Sequence, residues 1–226
     1  MLLMFAPIMD VTVLSDFISR FEMLQGLPIA LSMVGLAFII VGFNERRLTL
    51  LLLPIVYLLS LFPYYLILPP LFGVAKLFTG LFGCLILAVS LKQSPYFEHL
   101  SAIPPRKLML RRMGIVLVAT VVMTILASRP ALILPILPET AVYLNIIILL
   151  FITLGVAGIW LGRNPFSSSV GLLLFLIGFE LYHANINQSP RTLLLLAGVN
   201  FIVVLLTAYL LNVPSSELAI STKKTT

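Results

Sequence analysis

Residues 164–211 read NPFSSSVGLLLFLIGFELYHANINQSPRTLLLLAGVNFIVVLLTAYLL. Two apolar runs flank a short polar turn at 187–191, so the stretch reads as two helices joined by that turn. The first carries Glu180, His183 and Asn187, and the second carries Asn200. Lipid-soluble side chains fill almost every other helical position. An acid near the centre of a membrane helix costs roughly 2.5–3.5 kcal/mol on insertion scales. Such a residue faces a bundle interior or a water-filled cavity, or it keeps its proton. Positions 180, 183 and 187 are related as i, i+3 and i+7 and share one helix face. Glu180 and His183 are therefore placed to hydrogen-bond or to exchange a proton. Gly178 and Ala184 give a neighbouring helix room to come close.

The composition of the whole chain agrees with this reading. Of 226 residues, 61% are hydrophobic and only 10% are charged, and the mean hydropathy is +1.16. Several runs of about 20 apolar residues make an all-α polytopic membrane protein. The runs are continuous rather than alternating, which argues against a β-barrel. The net charge of +6 sits in short basic loops. That is an orientation signal for a membrane chain and not a nucleic-acid footprint. Cys84 is the single cysteine, so neither an internal disulfide nor a cysteine metal cluster is expected. Residues 1–9 lack a basic n-region and a small-residue cleavage site, so no cleaved signal peptide is expected.

Seven spans are expected in a domain over 28–212, preceded by an interfacial segment over 1–27 and followed by a tail over 213–226. Residues 10–25 set Asp10, Asp16, Arg20 and Glu22 among apolar positions at helical period, as an interfacial helix or partner contact does. The first span covers 28–43 from Pro28, a residue suited to a first helical turn. The second covers 48–68, with kinks expected at Pro54 and Pro63. The third covers 72–91, with Gly73, Gly80 and Gly83 as small packing surfaces. A basic loop follows over 92–113. The fourth span covers 113–128 and the fifth 139–161. Gly155, Gly158 and Gly162 form a small-residue ridge on the fifth. Asn164 and Pro165 are an N-cap and first helical residue for the sixth span, 166–186. The seventh covers 192–211.

Orientation follows from the lysines and arginines. One side holds Arg46, Arg47, the cluster over 92–112, Arg163 and the Lys223-Lys224 tail; the other holds Arg20, Lys76, Arg129 and Arg191. The richer side belongs in the cytoplasm, which puts the N-terminus outside and the C-terminus inside. The run at 106–112 is an orientation signal first, with contact to anionic lipid as a second reading.

The piece IGFELYHANIN, residues 177–187, resembles the glutamate helix of the small NuoK-type subunit of respiratory complex I. The whole chain resembles hydrogenase-4 component E, a longer relative of that subunit. The likeness is one of order and spacing. It consists of Arg47-Leu48 after the first span, Lys76-Leu77 early in the third and Ile103-Pro104 before the fourth. Arg163-Asn164 stands before the glutamate helix, and Asn200 midway along the last. It implies a membrane-arm subunit of an energy-converting hydrogenase or complex I-like assembly. In such assemblies buried charges form part of a proton or sodium path. By position Glu180 is the buried acid and Lys76 the buried base. Asn200 stands where an acid is expected in the last helix, a departure that leaves open a degenerate, mainly structural subunit.

The expected ion path thus comprises Glu180, His183, Lys76, Asn200 and Asn187. Bland readings stand beside it. Glu180 can simply bond a neighbouring helix, and Lys76 lies near enough to a span end to snorkel. Asn145 and Asn200 suit interhelical hydrogen bonds. No catalytic residue, metal or cofactor is expected. A retinal Schiff base lacks its lysine in the last span, and bis-histidine haem fails because His99 lies in a loop. The expected partners are other integral membrane subunits, antiporter-like and quinone- or hydrogenase-linked, with the lipid bilayer around them and no nucleic acid. The expected location is a cell (inner) membrane. Two other functions remain open: a small-solute transporter or channel lined by the 180–187 face, and a structural subunit of a respiratory or photosynthetic complex.

Overall fold

In a computed structural model of the chain, the described residues are 27–67, 70–94, 106–127, 129, 142–186 and 189–212. The amphipathic segment over 10–25, residues 130–138 between the fourth and fifth spans, Asn187 and the tail lie outside them. All regular structure among the described residues is helical. The helices are α1 (Leu27–Phe43), α2 (Arg46–Ile67), α3 (Pro70–Gln93), α4 (Arg106–Ala127), α5 (Val142–Leu161), α6 (Pro165–Ile186) and α7 (Pro190–Asn212). Helices satisfy every backbone amide within one segment, as an apolar solvent demands. Six of them, α2 to α7, are long and apolar enough to cross a membrane, and α1 is a shorter apolar helix. This is the architecture of a multi-pass membrane protein.

Local chemistry sets the boundaries. Asn44 ends α1 in the left-handed region with φ 52°, a conformation that asparagine tolerates better than most residues. Its N–H bonds Ile40 O at 3.2 Å. Helix α2 then starts at Arg46, two residues earlier than expected, so Arg46 and Arg47 occupy its first turn. The basic stretch assigned to a loop over 92–113 is also corrected. Helix α4 begins at Arg106, directly after Pro104-Pro105, and Arg106, Lys107, Arg111 and Arg112 lie on its first two turns. Proline opens α3, α6 and α7, where its missing N–H costs no intrahelical bond. Asn164 precedes Pro165 as expected: its carbonyl accepts from Ser168 N, and its side-chain oxygen accepts from Ser167 Oγ at 2.6 Å. Helix α2 runs on through Pro54 and Pro63.

The helices pack as two rows. α1, α2 and α3 are neighbours in one row, α5, α6 and α7 in the other, with α1 against α5, α2 against α6 and α3 against α7. α4 stands outside, touching α1 and α5. Polar bonds fix the directions. Ser94 Oγ at the end of α3 donates to Leu211 O at the end of α7, so these two run parallel. Asn145 Nδ2 near the start of α5 donates to Ala127 O at the end of α4, so these run antiparallel.

The most extensive contact joins α5 to α6. It is built from glycine. A Cβ on Gly155 would overlap the Phe175 backbone, one on Gly171 would lie 2.5 Å from Ile159 N, and one on Gly178 would lie 2.9 Å from Phe151 Cβ. The ridge read from the fifth span therefore lies against Phe175, Gly171 and Ser168 of α6, and the opening read at Gly178 takes Phe151 of α5. Without water to expel, packing of this closeness is what holds membrane helices together. On α3, Gly80 receives the Tyr57 ring, and Gly83 faces Val204 of α7.

Candidate functional site: a buried acid–base cluster

Helices α2, α3, α7 and α6 close a ring, each in contact with the next. Each sends one polar side chain into the same place: Tyr64 from α2, Lys76 from α3, Glu180 from α6 and Asn200 from α7. Their exposures are 2%, 8%, 2% and 5%. Tyr64 Oη donates to Glu180 Oε2 at 3.0 Å. Asn200 Nδ2 donates to Oε1. Lys76 Nζ forms an ion pair with Oε2, and the same ammonium lies 5.7 Å from the centroid of the buried Tyr57 ring. An ammonium over a ring face is a favourable contact, more so when desolvated.

Lys76 therefore does not snorkel. It lies six residues from Pro70, about 9 Å along the axis, close enough to an end for either fate. An acid from another helix decides between them. Glu180 lies equally far from Ile186. The cluster thus sits in the part of the bundle nearest the α2–α3 and α6–α7 turns.

His183 takes a different place from that expected. It is half-buried, and its ring stacks on Phe179 with centroids 6.3 Å apart and planes 13° apart. Phe179 in turn stacks on Phe175 at 6.2 Å. Among the described residues the partners of Glu180 are Tyr64, Lys76 and Asn200. A shared face was not enough to join His183 to Glu180, because the aromatic neighbour one turn back holds the imidazole. Asn187 lies outside the described residues. Asn145 is fully buried and makes the interhelical bond expected of it.

Tyr64 and Tyr57 were not singled out from the sequence. The one available signal was the polar tip that a tyrosine carries into an apolar run, and Tyr65 beside them carries the same tip.

Chemically, the cluster sets an acid against a base in a buried, four-walled site. Moving one proton from Nζ to Oε2 converts the ion pair to an amine and a carboxylic acid and leaves the net charge of the cluster unchanged. The low dielectric makes both the attraction within the pair and the cost of isolating either charge large. Among the described residues no group of three or more histidine, cysteine, aspartate or glutamate side chains could hold a metal.

Compared with known protein families, curated proteins and solved structures, the chain matches none.

Proposed function

We propose that the chain is a membrane-embedded accessory subunit of an ion-pumping oxidoreductase, complex I-like or of the energy-converting hydrogenase type. In this reading Lys76 and Glu180 carry a proton or gate an ion. The observation that supports it is their pairing in one buried site. These are the two positions that the resemblance to hydrogenase-4 component E picks out, and they stand 104 positions apart in the chain. Tyr64 and Asn200 hold the carboxylate so that both of its oxygens are addressed. The subunit performs no catalysis alone and holds no cofactor. Antiporter-like subunits and a quinone- or hydrogenase-linked module complete the path and supply the driving reaction. The cation-rich ends of α2, α4 and α6 lie in the cytoplasm, by the positive-inside rule, and the Glu180 cluster lies nearer the outer face of a cell (inner) membrane.

A structural role is the second reading. One carboxylate ties four helices together, which a scaffold subunit would use without moving any ion. Co-purification in mild detergent, followed by mass spectrometry, tests the partner assignment. Recovery of antiporter-like and redox subunits is the expected result, and a chain that runs alone would overturn it. Lys76→Met together with Glu180→Gln separates the two readings, because it removes both charges and leaves neither buried alone. Assembly preserved with ion pumping reduced supports the path, whereas unchanged coupled activity leaves only the scaffold.

A further inference from the structure

The corner where α1, α4 and α5 meet holds guanidinium groups that the Glu180 cluster does not use. Arg112, on the second turn of α4, donates from Nε to Val41 O at 2.7 Å and from Nη1 to Leu161 O at 3.0 Å. Those carbonyls lie in the last turns of α1 and α5, where helix oxygens lack intrahelical partners and carry partial negative charge. The two bonds engage two of five donors. Arg163 follows Leu161 by two residues and lies within electrostatic range of Arg112. Arg163 and Arg111 are both exposed. Among the described residues none of these three arginines pairs with a carboxylate. Glu45 is the one described acid at this end of the bundle, and it is exposed.

Like charges gathered at the edge of an apolar bundle repel. A bridging anion removes the repulsion, and the guanidinium fork matches the oxygens of a phosphate. The surface leading away from the arginines is apolar. Only 6% of the α4 span is buried. Val118, Val122 and Ile125 are exposed along the stripe of it that continues from Arg111. Gly114 interrupts the stripe with open space at its Cα. Cations at the head of a grooved apolar stripe fit a molecule with a phosphate and acyl chains.

We propose that this corner binds one anionic phospholipid, its phosphate between Arg112, Arg163 and Arg111 and an acyl chain over Gly114 on α4. A free phosphate would leave the stripe unused. The test uses the full chain, stripped of lipid in a neutral detergent, with native mass spectrometry during titration of phosphatidylglycerol or phosphatidylcholine of matched chains. The wild type should retain phosphatidylglycerol in preference. Arg111→Gln with Arg163→Gln should weaken that lipid about fivefold per arginine removed, leave phosphatidylcholine unchanged and keep the helical circular dichroism. Arg112 is left in place because it ties α1 and α5 to α4. Arg191→Gln, at the other end of the bundle, should change neither lipid. Equal retention of the two lipids, an unaltered preference in the double variant, or displacement by millimolar inorganic phosphate would each overturn the assignment.

Discussion

Removing one member of the Lys76–Glu180 pair should cost more than removing both. Lys76→Met leaves a carboxylate that is 2% exposed facing only the neutral donors Tyr64 and Asn200. Glu180→Gln leaves an ammonium that is 8% exposed with the Tyr57 ring and no anion. Breaking a buried pair in this way costs about 3–5 kcal/mol. For a chain of this size, 1 kcal/mol moves Tm by roughly 2–4 °C, so each single variant should lose roughly 6–20 °C. Lys76→Met with Glu180→Gln removes both charges, and such replacements are often neutral. The new amide keeps an acceptor for Tyr64. Its donor finds Asn200 Oδ1, which has no hydrogen-bond partner in the parent, once the Asn200 amide turns over. The double variant should therefore fall within about 2 kcal/mol of the parent. The assay is loss of helical circular dichroism on heating in mild detergent, for all four members of the cycle. Equal and additive losses, with the double variant as poor as the sum of the singles, would refute the pairing.

The remaining predictions concern packing. Gly155→Ala forces a Cβ into the Phe175 backbone and should destabilise by about 1–3 kcal/mol. Gly35→Ala and Gly198→Ala meet nothing within 4 Å and should stabilise by up to about 1 kcal/mol; a loss in all three would show that the α5–α6 contact is not what distinguishes them. Asn145→Ala removes the bond to Ala127 O and should cost roughly 0.6–1.7 kcal/mol. Proteolysis should then cut faster near the end of α4, and an unchanged rate would count against that bond.

The sequence by itself determined the class, six of the seven apolar segments to within three residues at each end, the proline starts and the small surfaces of α3, α5 and α6. These are properties of one segment at a time, set by length, by proline's missing N–H and by glycine's missing Cβ. It also marked Glu180, Lys76 and Asn200, because a polar group in an apolar run is costly wherever it faces. The start of α4 was missed because cations in the first turns of a helix look like a loop when only hydropathy is read. Only the tertiary structure decided that Lys76 turns inward, that Tyr64 completes the cluster and that His183 stacks on Phe179. The physical reason is that lipid and protein interior are both apolar. Such helices carry no hydrophobic stripe to say which face points inward, so the meeting of faces is settled by close packing between helices distant in the chain.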